Sequence, residues 1–282
     1  MSPLAGSAHQ NGYRCALHGR LVSTNDEALT RAKAGDPGRL WVVAESQSGG
    51  RGRNGRVWSS PPGNLYASLL LIDPAPPRRA PELGFVAGVA LASALRGLLL
   101  DDQRLAIKWP NDILHDGAKL AGILLEAASL PDGRFACVAG IGVNCSAHPD
   151  VALYEATNLA AVSSRPISAE LVFEHLSAAM AKWIDLWACG DGFETVRAKW
   201  LSLAFGIGEK IRVVRRDQSI EGVFKTIDPS GRLIVAQEPG DVAVDAGDVF
   251  SLARSDSAAA AGQSCAPPRR ISGAYSDQMD PS

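Results

Sequence analysis

Paired thiols, clustered histidines and surplus charge are all missing from this chain of 282 residues. Its five cysteines (Cys15, Cys137, Cys145, Cys189 and Cys265) are scattered, odd in number and form no C-x-x-C pair. That argues against a disulfide framework or a metal cluster and fits a reducing cytoplasm. His9, His18, His115, His148 and His175 stand in unrelated contexts, so no dedicated metal site is expected. A G-x-S-x-G elbow is also lacking, which leaves a serine hydrolase unsupported. A formal net charge of −2 argues against general electrostatic binding to DNA, RNA or a membrane surface. The start, Met1-Ser2-Pro3-Leu4-Ala5-Gly6, lacks the basic-then-apolar pattern of a secretory signal. Leu83 to Leu100 is apolar enough to raise the membrane question, but it carries Ser93 and Arg96 and reads as a buried helix.

What is present is concentrated in Gly49-Gly50-Arg51-Gly52-Arg53-Asn54-Gly55-Arg56-Val57-Trp58. Glycines let backbone wrap closely around a ligand, and arginines offer forked donors to phosphate or carboxylate. The run reads as a lid for a nucleotide, mobile alone and ordered by a polyanion. It also matches G-x-G-x-x-G, with Asp73 near the distance of a ribose-binding acid. A dinucleotide fold needs a helix directly afterwards, and Pro61, Pro62 and Gly63 forbid one. No Gly-Lys-Ser/Thr follows, so it is not a Walker loop. An RG-rich RNA-binding segment is a third reading, set against a slightly acidic chain and flanking strand-like runs.

Thr24-Asn25-Asp26-Glu27 has the form of a capping box opening a helix through about Lys33. Strands are expected at Leu40–Ala44, Leu65–Ile72, Leu105–Lys108, Leu120–Leu125 and Phe135–Val143, and helices at Glu170–Trp187 and Phe193–Leu203. From about Gly206 short strands follow closely (Lys210–Arg215, Ile220–Ile227, Leu233–Ala236, Asp241–Val244), which suggests a small β-barrel. The organisation expected is an N-terminal segment at 1–19, a catalytic domain at 20–205, a β domain at 206–254 and a disordered tail at 255–282.

Lys108-Trp109-Pro110-Asn111-Asp112 places a lysine and an acid at one sharp turn, able to manage charge on a phosphate or a proton from an amine. A plain strand ending in an Asn-Asp turn is an equal reading. Lys119 precedes a strand with small residues at its start, where a lone lysine is ordinarily solvated. Gly140-Ile141-Gly142-Val143-Asn144 is consistent with close approach of a ligand to backbone, or with a tight bend. Ser23-Thr24-Asn25 at a helix start needs no role beyond capping.

Taken in order, these pieces resemble the catalytic domain of bacterial biotin protein ligases (biotin–[acetyl-CoA-carboxylase] ligases). The resemblance runs through Ser23-Thr24-Asn25, Gln47, Gly50–Trp58, Asn64-Leu65-Tyr66, Lys108–Asp112, Lys119–Leu124 and Gly140–Asn144, and the C-terminal strands are similar to that family's SH3-like domain. It implies an α/β fold with a mixed sheet, distantly like class II aminoacyl-tRNA synthetases. The implied substrates are biotin and ATP with Mg²⁺, and the implied protein partner is a biotin carboxyl carrier domain. Biotinyl-5′-AMP would form first and pass its biotin to a carrier lysine.

By the same resemblance Ser23, Thr24, Asn25, Gln47, Arg51, Gly52, Arg53 and Lys119 hold biotin. Arg53, Arg56, Trp58, Asn111, Lys119 and Asn144 serve ATP, and Lys119, Arg53 and Asp112 act in catalysis. Some members also repress transcription through an N-terminal winged helix. Residues 1–19 leave no room for one, so a DNA-binding role is expected to be absent. A homodimer stays open. Lipoate ligases and octanoyltransferases share the fold, but the Gly/Arg loop ending in Trp58 favours biotin.

Overall fold

The computed structural model describes residues 4–100, 102–150, 155–215 and 218–252. The first half runs α1 (Gly6–Gln10), β1 (Arg14–Leu21), α2 (Thr24–Lys33), β2 (Leu40–Gln47), β3 (Leu65–Ile72), α3 (Glu82–Arg96), β4 (Leu105–Lys108), β5 (Asp112–His115), β6 (Ala118–Ser129) and β7 (Phe135–Val143). Then come α4 (Leu159–Val162), α5 (Ala169–Trp187) and α6 (Phe193–Leu201). The last strands are β8 (Lys210–Arg215), β9 (Gln218–Ile227), β10 (Leu233–Ala236), β11 (Val242–Val244) and β12 (Asp248–Ser251).

β1 to β7 form one mixed sheet in the order β1-β2-β3-β7-β6-β5-β4, with β1 and β2 parallel and the other pairs antiparallel. Successive strand residues face opposite sides, and both sides of this sheet are covered. Trp41, Leu69, Leu71, Cys137 and Ile141 pack against α3, α5 and α6. Their neighbours Leu40, Val42, Leu70, Ala136 and Val138 pack against Ala28 and Ala32 of α2. Double coverage is why Leu65–Ile72 reads as an unbroken apolar run instead of an alternating one. The five C-terminal strands form a second, antiparallel sheet, β11-β10-β9-β8-β12.

The two units share one core. Phe85 of α3 meets Phe193 and Trp200 of α6 edge-on at 5.6 and 5.5 Å. Arg197 Nε of α6 donates to the Ile227 carbonyl of β9 at 2.7 Å. The turn at Pro229-Ser230-Gly231 closes with Gly231 N–H donating to Asp228 O at 2.9 Å, and Gly231 takes the left-handed conformation (φ 83°) that glycine tolerates.

Three strands escape the sequence reading. β1 lies within residues 1–19 and just beyond, yet it is the sheet's edge strand; its polar, half-exposed residues, with Arg14, His18 and Arg20, hide the strand period. β5 begins inside the turn motif at Asp112, and β12 is only 4 residues long. The helix cap also lies one residue earlier than expected. Ser23, not Thr24, is the N-cap, accepting from Asp26 N–H at 3.4 Å. Glu27 is thereby free to pair with Arg31 one turn on. The apolar segment ends as a helix at Arg96, and among the described residues no helix is long and apolar enough to cross a membrane. Residues 255–282 and Cys265 lie outside the described residues.

Trp41 is fully buried and meets Phe173 of α5 edge-on at 5.3 Å, which joins sheet and helix layer. Trp41→Ala should cost about 3–5 kcal/mol of stability, read as a lower denaturation midpoint in urea with little change in slope. A loss below about 1 kcal/mol would show that this contact is not central to the core.

Candidate active site

A cleft of about 1070 Å³, open to solvent at its mouth, lies where the Gly/Arg loop crosses the sheet. Its floor comes from β6 and β7. Both strands are thin here: a Cβ on Gly142 would stand 2.6 Å from the Trp58 indole, and one on Gly122 3.1 Å from it. A Cβ on Gly140 would meet Asn25 Oδ1 at 2.2 Å. Glycine at these positions lets Trp58 and Asn25 sit directly on the sheet.

The N-terminus of α2 supplies one wall. Thr24 N–H and Oγ1 donate to Gln47 Oε1 at 2.8 and 3.1 Å, and Gln47 Nε2 donates to Ser60 Oγ at 3.1 Å. Ser68 Oγ stands 2.7 Å from Thr24 Oγ1 and 2.6 Å from Asn25 Oδ1, its single proton serving one of them. Asn25 Nδ2 donates to Glu126 Oε2 at 2.7 Å. Ser23, Thr24, Asn25 and Gln47 therefore converge as expected, while Ser68 and Glu126 join them without any local sequence signal.

The loop is a compact hairpin. Gly52 N–H donates to Arg56 O at 2.7 Å and Trp58 N–H to Gly50 O at 2.9 Å, with Asn54 and Gly55 at positive φ (57° and 72°) turning the tip. Each arginine is partnered. Arg51 donates two bonds to Asp26 at 2.7 and 2.8 Å and reaches both Glu126 oxygens at 3.1 Å. That bidentate contact holds the Asp26 carboxyl below the usual carboxylate range. Arg51 lines the cleft, yet its charge is already answered by two carboxylates. Arg53 NH1 donates to Asn111 Oδ1 at 3.3 Å and NH2 to Gly247 O at 3.1 Å, and burial makes its charged form less favourable. Arg56 pairs with Asp248.

The turn after β4 supplies the opposite wall. Asn111 Nδ2 donates to Ile123 O at 2.7 Å, which fixes the turn to β6. Lys119 Nζ sits 2.7 Å from Asp112 Oδ1 and 5.4 Å from the Trp58 ring centre. The sequence reading gave these two residues separate tasks; the sheet register makes them an ion pair, since Asp112 faces Gly122 and Leu114 faces Lys119 across β5 and β6. Lys108, whose pKa burial lowers, lies 5.7 Å from the Phe250 ring centre. Cations outnumber acids along the cleft, where Arg51, Arg53, Arg56, Lys108 and Lys119 face Asp112 and Asp248. Such a surface suits a ligand with several negative charges.

Asn144 is set apart. It lines a smaller cavity behind Trp58 with Lys119, Pro149 and Ala156, and its Nδ2 donates to Thr157 O at 3.0 Å. Asn64 is structural, its Oδ1 accepting from the N–H groups of Cys145, Ser146 and Ala147 at 2.9, 2.9 and 3.1 Å. Asp248, Val249 and Phe250, which close the cleft, come from the C-terminal sheet and lie almost two hundred residues from the loop they meet. Among the described residues no cluster of three or more His, Cys, Asp or Glu side chains could hold a metal ion.

Comparison with known proteins places this geometry. Residues 19–144 match the biotin/lipoate A/B protein ligase family, and residues 206–251 match the biotin protein ligase C-terminal domain. A biotin–[acetyl-CoA-carboxylase] ligase of Paracoccus denitrificans is 38% identical over 239 residues, covering 82% of this chain and 98% of the relative. The bifunctional ligase/repressor BirA of Escherichia coli is 32% identical, covering 77% of this chain and 68% of the relative. Among solved structures, a biotin protein ligase from Aquifex aeolicus in complex with biotin and ATP superposes with a TM-score of 0.70 at 22% identity, covering 84% of this chain and 98% of that one. At that identity the likeness speaks for the fold. The sequence relatives and the two matched regions together make this chain a member of the biotin protein ligase family.

Proposed function

We propose that this enzyme is a biotin–[acetyl-CoA-carboxylase] ligase that activates biotin with ATP and transfers it to a lysine of a biotin carboxyl carrier domain. The observation that carries the reading is the Lys119–Asp112 pair, 2.7 Å apart in a cleft crossed by an arginine loop. In the first step a biotin carboxylate oxygen attacks the α-phosphorus of ATP and pyrophosphate leaves. Negative charge crowds around one phosphorus, and fixed cations stabilise it. Arg53 and Lys119 would meet the acyl phosphate, and Arg56 the departing phosphates. Mg²⁺ enters as part of the nucleotide substrate.

Ser23, Thr24, Asn25, Gln47 and Gly52 line the cleft beside the Arg51 ion pairs and would take the biotin ring through its polar edge. Arg51 would act there indirectly, holding the α2 N-terminus through Asp26. Trp58 would cover the alkyl chain and, with Asn144, border the nucleotide; Asn111 would steady Arg53. In the second step the carrier amine attacks the mixed anhydride, an amide forms and AMP leaves. Only the neutral amine is nucleophilic, and the Asp112 carboxylate would draw in the ammonium and take its proton. A cytoplasmic setting suits an ATP-using enzyme with four unpaired cysteines among the described residues.

Pyrophosphate exchange should depend on biotin and far less on lipoate or octanoate; equal or greater exchange with lipoate would overturn the choice of acid. Arg53→Ala should lose about 1.5–3 kcal/mol of binding to the anionic intermediate. Labelled biotinyl-adenylate would then separate from the protein in gel filtration, whereas wild-type retention would refute that role. Asp112→Asn should slow transfer to the carrier more than adenylation in single-turnover assays, with a smaller effect on adenylation because Lys119 loses its partner. Lys119→Ala should strike adenylation first. An Asp112→Asn enzyme slowed only in adenylation would place this carboxylate away from the acceptor lysine.

A further inference from the structure

β12 lies at the edge of the C-terminal sheet, paired antiparallel with β8 so that Asp248 faces Val214 and Phe250 faces Arg212. Alternate residues of a strand share a side. Val249 packs into the core at the edge of the cleft, and Asp248 and Phe250 on the other side of the strand also reach the cleft. The approach is tight: a Cβ on Gly247 would stand 2.6 Å from Val213 Cγ1. The Gly247 carbonyl accepts from Arg53 NH2 at 3.1 Å. The Asp248 carboxylate bonds Arg56 through one oxygen and stands 3.6 Å from Arg53 NH1 through the other.

We propose that Asp248 is a positioning residue for nucleotide binding, through which the C-terminal β domain holds Arg53 and Arg56 of the loop over the phosphates. Two guanidinium groups three residues apart repel each other; Arg53 and Asp248 are only 22% and 20% exposed, so water screens that contact poorly, while Arg56 is 46% exposed and its pairing is the better screened. A single carboxylate between them offsets that repulsion and fixes where both forks point. Phe250, from the same strand face, sits under Lys108 and places a third cation beside them. One short strand of the second domain therefore arranges three of the five cleft cations. Asp248 touches no reacting atom in this scheme; it acts through the arginines. The inference rests on the reading of the cleft as an ATP site.

Asp248→Asn keeps the side-chain shape and one acceptor oxygen but removes the charge. In the full-length enzyme it should raise the KM for ATP about tenfold in biotin-dependent pyrophosphate exchange, with the KM for biotin and kcat changed about twofold or less. Asp248→Glu should recover part of the loss. Amide hydrogen exchange over residues 50–58 should quicken in Asp248→Asn without any ligand. Arg56→Ala combined with Asp248→Asn should fall short of the sum of the two single losses, since the Arg56–Asp248 contact is common to both and only the Arg53 contact remains to be lost. A wild-type KM for ATP in Asp248→Asn, unchanged loop exchange, or additive effects in the double variant would each overturn the proposal. Should wild-type protein show no biotin-dependent exchange, the functional reading fails instead, and loop exchange in Asp248→Asn still decides whether Asp248 holds the arginines. If Asp248→Asn unfolds, Asp248→Glu and Arg56→Ala carry the same comparison.

Discussion

Three guanidinium groups within the six residues Arg51 to Arg56 repel one another, so the loop keeps its shape only where other elements bring negative charge or acceptors to it. They come from three parts of the fold: the α2 and β6 side, the turn after β4, and the start of β12. Asp26 of α2 and Glu126 of β6 take Arg51; Asn111 of the turn after β4 and the Gly247 carbonyl take Arg53; Asp248 of β12 takes Arg56. A glycine-rich loop has much backbone entropy to lose on ordering. The internal hairpin bonds and these outside partners together offset that cost. In this structure the loop is a hairpin held by partners at both ends.

Partnering also divides the cleft by charge. Arg51, facing two carboxylates, contributes little net field, and the end of the cleft near Ser23 and Gln47 is polar and close to neutral. The far end, with Arg53, Arg56, Lys108 and Lys119 against Asp112 and Asp248, keeps net positive charge. The glycines of β6 and β7 bring both ends within reach of the same sheet surface, because a side chain at 140 or 142 would collide with Asn25 or Trp58.

Much of this was legible along the chain. The boundaries of β3, β4, β7, β8 and β10 follow from apolar runs bounded by turn residues, and α5 from its helical period. Most of the site was legible too, since the residue sets around Ser23, Gly50, Lys108, Lys119 and Gly140 are local in sequence and distinctive in order. The misses have physical causes. β1 is a polar edge strand whose alternation is broken by Gly19, so its period is faint. Ser68 sits within one strand and Glu126 within another, and a single polar residue in such a run says nothing about which helix or loop will face it.

The sequence by itself determined the family, the two-part architecture and the identity of most cleft residues, because these depend on local periodicity and on motifs whose members lie close together. Only the tertiary structure decided which charges neutralise which. The Lys119–Asp112 pair depends on the register of β5 against β6, and the arrangement of Arg53 and Arg56 depends on a second sheet folding back from residue 248. Electrostatic interactions act through space at a few ångströms, so the partner of a charge is set by packing and strand register and not by its neighbours along the chain.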